Sequence, residues 1–207
     1  QDGQQFVRVV DYKSGAKAFR LADIVNGLNL QMFLYLFNVC ADGSNPYAGV
    51  PAGVLYMHAA RSVMTVETKS SAEKDIAGQE DKAFGMNGIV ITNPDCDIPA
   101  AMEHDLAGKY IPVRLKKSGV GGSLASLEQL GLLQRKIEAL VADMGNALQN
   151  GQIGQHPVQA KDHDKTCEYC DFASVCAFKK SVTPRTYDDQ TDSAVLAELE
   201  KEGESHA

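Results

Sequence analysis

The sequence predicts an α/β or α+β core in which short strands are interspersed with two long helices. Three observations carry that prediction. An apolar run, Val7 to Val10, stops abruptly at Asp11; Leu21, Ile24, Val25, Leu28, Met32 and Leu36 recur at helical spacing; and a second helical stripe runs from Leu127 to Leu148. At 207 residues, 44% apolar and 23% charged, the chain suffices for one sizeable soluble domain with a small appendage. No apolar run approaches the ~18 residues of a membrane span. The N-terminus carries neither a basic leader nor an apolar signal core, so a cytoplasmic location is expected. A start without Met that soon enters a strand reads as the middle of a larger polypeptide.

The net charge of −7 argues against a nucleic-acid partner until its distribution is read. Between Thr186 and Ala207 lie seven acids and Lys201, a net of −6, which leaves −1 on the remaining 185 residues. The body is therefore almost neutral, and total charge does not exclude DNA. The acidic stretch 182–207 is expected to be a disordered, solvated tail.

Taken in order, residues 5–12 read as a strand emerging at Asp11, and 19–40 as one long helix weakened in its middle by Gly27. Residues 41–53 form a loop dense in Gly, Pro, Asn and Asp. "VLYMHAA" and "SVMTVET" look like a strand pair, and "GIVITN" (88–93) like a further short strand. The charged run between them marks a mobile insertion over 67–85. "KYIPVRLKKSG" (109–119) alternates like a half-exposed strand with basic residues on one side. In the following segment Leu127, Leu130, Leu133, Ile137, Leu140, Met144 and Leu148 make an amphipathic stripe. Ser126 with Gln129 fits a capping box, and Gly151 fits a C-terminal stop. No internal repeat is present. The resulting division is a core over 1–155, a cysteine segment over 156–181 and the tail.

Cys167, Cys170 and Cys176 form C-x2-C-x5-C. Where disulfides are not expected, thiols this close read first as metal or cluster ligands, because a two-residue gap lets both thiolates of a turn approach one centre. Three ligands do not close a tetrahedral site. A zinc knuckle recruiting His163, His156, Cys40 or Cys96 is one completion, and a ligand from outside the chain is another. Cys40, ending an apolar helix, and Cys96, in a turn-like loop, read more simply as structural residues.

Asp11 and Lys13, two apart on a strand, project from the same side. The pair is either a surface ion pair or half of a metal site. In the second case the Asp11 carboxylate and the Tyr12 carbonyl hold Mg²⁺, while Lys13 orients or deprotonates water or stabilises charge on a phosphate. Gln31 and Tyr35, four apart, share one face of the next helix. They are either a core tyrosine with an edge glutamine or a second polar element of the same site.

"VVDYKSG", then "QMFLY", then C-x2-C-x5-C resemble, in that order, the RecB-type nuclease domains of the PD-(D/E)XK superfamily, in the branch with an iron–sulfur staple. "MNGIVI" and "KYIPVRLKKSG" add a likeness to the C-terminal nuclease domains of the AddB family of helicase–nuclease subunits, covering residues 1 to about 180. The resemblance implies an α/β restriction-endonuclease-like core, truncated on its N-terminal side, with a cysteine-bearing C-terminal segment. It implies Mg²⁺-dependent exonucleolytic hydrolysis of DNA, double-strand-break processing in recombinational repair, and AddA as partner. Asp11 would be the metal-binding acid and Lys13 the catalytic lysine. Gln31 and Tyr35 would be the Q-x3-Y pair that positions DNA and the lysine, and Cys167, Cys170 and Cys176 three ligands of a structural [4Fe–4S] cluster. The family's first metal-binding Asp, in a G-x-x-D-R-x-D stretch, and its first cluster cysteine belong to segments preceding Gln1, so the fragment itself could be inactive. A non-catalytic DNA-binding or scaffold domain and a zinc-knuckle interaction module are the rival readings.

Overall fold

The computed structural model describes residues 3–15, 17–59, 84–161, 167, 170–176 and 184–205. The strand expected over "SVMTVET", His163 and all but the last two positions of the expected insertion 67–85 lie outside the described residues. Two compact units organise the chain: Gln1–Phe19 with Gln31–Gly131, and Arg20–Leu30 with Leu132–Ala207.

The first unit is built on a four-stranded sheet of order β1-β2-β3-β6, from β1 (Phe6–Lys13), β2 (Val50–His58), β3 (Asn87–Thr92) and β6 (Leu124–Ser126). β1 runs parallel to β2, β2 antiparallel to β3, and β3 parallel to β6. Ala52 to Tyr56 are all buried, as expected of a strand covered on both faces. Helix α2 (Gln31–Ala41) packs on β1 and β2, burying Met32, Phe33 and Leu36. Phe33 and Tyr56 each approach the Phe19 ring, at centroid distances of 6.2 and 6.3 Å. A separate cluster joins Ala52, Leu55 and Val90 to Ile98 of the short helix α3 (Ile98–Met102) and to Leu106, Ile111 and Val113. Cys96 packs against this cluster, in agreement with its reading as structural. The basic segment 109–119 is not one strand. Only Val113–Lys116 is extended, as β4, and it turns at Lys117–Ser118 into an antiparallel partner, β5 (Gly119–Gly122).

The second unit contains α1 (Leu21–Val25), most of α4 (Leu127–Gln149), the parallel pair β7 (Val158–Ala160) and β8 (Arg185–Tyr187), α5 (Ala173–Cys176) and α6 (Asp192–Ser205). The helix expected over 19–40 is thus two helices. Gly27 at φ +87° and Asn29 at φ +56° take left-handed backbone, which a continuous α-helix cannot contain. The break is held by Asp23, a buried carboxylate that accepts from Arg20, from the Asn29 amide at 3.1 Å and from the Tyr187 hydroxyl at 2.7 Å. The capping box forms: the Ser126 amide donates to Gln129 Oε1 at 2.8 Å and the Gln129 amide to Ser126 Oγ at 3.1 Å. The stripe that follows is only partly covered. Leu133 and Ile137 are buried, whereas Leu148 is 74% exposed.

The expected disordered tail is corrected over residues 192–205, which are helical. Val195, Leu196 and Leu199 form a short apolar stripe that is buried, while the acids occupy the remaining surface of α6. Net charge alone masks those three apolar positions.

Candidate active site

β1 owes its exposure pattern to its place in the sheet. Tyr12 is 66% exposed, whereas Asp11 and Lys13 on the opposite side are half-buried. The parallel register sets Asp11 beside Tyr56 and Lys13 beside His58, and the Ala59 amide donates to the Lys13 carbonyl at 2.9 Å. Lys13 Nζ lies 2.6 Å from Asp11 Oδ2 and 5.8 Å from the centroid of the Tyr56 ring. The hydrogen bond to Asp11 raises the Lys13 pKa above the ordinary lysine value, burial opposes it, and the Asp11 charge adds to the rise. The ammonium is therefore fixed from two directions, by a carboxylate and by an aromatic face.

Tyr56 is a site residue that sequence reasoning missed. Its place in "VLYMH" marks it as a strand residue, but only the β1–β2 register puts its ring beside Lys13.

Gln31 and Tyr35 are joined by a hydrogen bond, with the Gln31 Nε2 amide donating to Tyr35 Oη at 2.7 Å. Both are exposed, so Tyr35 is not the core tyrosine that one reading expected. Among the described residues no hydrogen bond or ion pair links Gln31 or Tyr35 to Asp11 or Lys13. The four predicted residues thus form two internally satisfied pairs on elements that pack together. As donors for a hard cation, the Asp11 carboxylate and a strand-end carbonyl suit Mg²⁺, which keeps most of its shell as water and phosphate oxygens. Among the described residues no three His, Cys, Asp or Glu side chains gather as a metal site.

In the second unit, the Cys170 amide donates to the Cys167 carbonyl at 3.4 Å and the Cys176 amide to the Phe172 carbonyl at 2.9 Å, so a turn and the one-turn helix α5 carry the three thiols. All are free, Cys170 is exposed and the other two are half-buried, but they do not converge to ligand distance. Cys40 is also free, and burial pushes its thiol pKa up, in keeping with a structural residue. No helix among the described residues is long and apolar enough to cross a membrane.

A profile of the PD-(D/E)XK nuclease superfamily matches residues 1–177. The chain is similar to the B subunit of the ATP-dependent helicase/deoxyribonuclease of Bacillus cereus, at 32% identity over 210 residues covering 95% of this chain and 18% of that protein. The proteins of the same name from Bacillus thuringiensis subsp. konkukian and Bacillus anthracis are 32% and 31% identical over the same length and coverage. The chain spans less than a fifth of the length of these curated relatives, which it covers to 18%.

Proposed function

Because this chain belongs to the PD-(D/E)XK nuclease superfamily, we propose that it is the Mg²⁺-dependent DNA exonuclease domain of a helicase–nuclease that processes double-strand-break ends. Its mixed sheet with α2 against β1 and β2 is the restriction-endonuclease-like α/β core of that superfamily. The observation that carries the reading is the Asp11–Lys13 pair at the end of β1, closed at 2.6 Å and half-exposed where a strand of DNA can reach it.

In this reading Asp11 and the Tyr12 carbonyl hold Mg²⁺, which when bound supplies charge neutralisation at the scissile phosphate and a more acidic water. Lys13, kept cationic by Asp11, cannot readily serve as the base. Its role is to orient the attacking water and to stabilise the negative charge that grows on the phosphoryl oxygens. Water forms the new P–O bond, and the departing nucleotide oxygen leaves as a hydroxyl. Gln31 and Tyr35 present an exposed amide and phenol that steer the strand. The names of the relatives support AddA as the partner that delivers unwound DNA.

Cys167, Cys170 and Cys176 would hold a structural [4Fe–4S] cluster, with a fourth ligand from elsewhere, once the segment closes around it. Brown protein with stoichiometric iron and sulfide supports this. Colourless protein with stoichiometric zinc replaces the cluster by a zinc knuckle.

The catalytic reading is tested by Asp11→Ala in the full-length helicase–nuclease. Strand degradation should stop while unwinding persists, and undiminished degradation would refute the assignment.

A further inference from the structure

We propose that the groove beside the β4–β5 hairpin holds the sugar–phosphate backbone of a DNA strand. This surface rests on the DNA-cleaving reading above and gives it a strand grip beyond Asp11 and Lys13. Residues 106–127 hold Lys109, Arg114, Lys116 and Lys117 and no acid, so the rest of a chain of net −7 carries −11. The positive charge is therefore local, and it lines a cavity. A groove of about 850 Å³ takes Lys109, Arg114 and Lys116 together with Gly108, Gly121 and Gly122, and no acid lines it.

Arg114 and Lys116, two apart on β4, project from one face of the hairpin. The Arg114 side chain lies directly across Gly108, and Lys116 lies across Gly121, where a Cβ would come within 3.3 Å of its Nζ. With glycine beneath both cations, the floor has no side chains to keep a phosphate chain away. Among the described residues Arg114, Lys116 and Lys117 form no ion pair, so their charge remains available to an external anion. The third cation is held in place by its backbone. Glu103, buried, accepts from the amides of Lys109, Tyr110 and Ile111 at 2.9, 3.0 and 3.0 Å, fixing the loop that presents Lys109. Three cations on a glycine floor, with no base-reading groups, match a sequence-independent phosphate track.

The test is a salt titration of binding to a labelled single-stranded oligonucleotide by the full-length protein, in EDTA so that no strand is cut. Arg114→Gln/Lys116→Gln should flatten the dependence of log K on log salt by about 1.4, at ~0.7 per lost phosphate contact. Arg114→Lys should keep the wild-type slope, as should Lys117→Gln, whose residue sits at the hairpin tip outside the groove. Both groove cations are exposed and the double variant should melt like the wild type; if it does not, each single Gln variant should flatten the slope by about 0.7. An unchanged slope in the Gln variants, or an equal loss in Lys117→Gln, overturns the proposal. Wild-type protein that binds and, with Mg²⁺, cleaves while the double variant titrates unchanged overturns the groove alone. Wild-type protein that neither binds nor cleaves overturns the nuclease reading with it.

Discussion

Replacing Glu103 by Gln isolates the electrostatic part of the loop that carries Lys109. The carboxylate is 7% exposed and receives three backbone N–H groups, Lys109 on Oε1 and Tyr110 and Ile111 on Oε2. Burial by itself would raise its pKa, but the backbone donors from Gly108 to Ile111 outweigh burial and hold it below the ordinary glutamate value. Gln keeps the volume but removes the charge and turns an NH₂ group toward at least one of the donors. Hydrogen bonds to a charged acceptor contribute about 1.5–3 kcal/mol each against roughly 1 for neutral ones, so the substitution should destabilise by about 3 kcal/mol at neutral pH. A carboxyl whose folded pKa lies below its unfolded one contributes stability that is complete above the unfolded value. That contribution fades as pH falls through the folded value. Urea unfolding of wild type and Glu103→Gln should therefore give a constant gap above about pH 5, narrowing as the pH is lowered further. A gap below about 0.5 kcal/mol at pH 7, or one that does not change with pH, would refute the reasoning.

Further outcomes follow from the same structure. Ile137→Ala, at a fully buried position of α4, should destabilise by about 2–5 kcal/mol in thermal unfolding, whereas Leu148→Ala on the same stripe should change stability by less than about 0.5 kcal/mol. Tyr187→Phe removes a donor from the buried Asp23 carboxylate and should lower stability by about 1–3 kcal/mol in urea unfolding, with no change in strand cleavage. Tyr35→Phe, at an exposed hydroxyl, should leave stability within about 0.5 kcal/mol and raise KM for single-stranded DNA.

Local patterns were legible and long-range partners were not. The Ser126–Gln129 box and the same-side projection of Asp11 and Lys13 follow from spacing alone, and both are present. The helix break at 26–30 was visible only as a weak glycine. The groups that stabilise it, Tyr187 and the Asp192 carboxylate that caps the Leu21 amide, lie 164 and 171 positions from their partners. Tyr56 escaped notice for a similar reason, since register, not sequence spacing, brings its ring to Lys13. The acidic tail was misjudged because charge density hid the three apolar positions that bury α6.

The segment from Arg20 to Leu30 belongs to a unit otherwise drawn from the far end of the chain. During synthesis Asp23 leaves the ribosome long before Tyr187, its partner 164 residues on, has been made. At about 5–20 residues per second that interval is roughly ten to thirty seconds. Throughout it the α1 turn has neither its cap nor its phenol donor and must stay open in water. Until the last quarter of the chain arrives, only the strands and the helix on either side of that segment can settle.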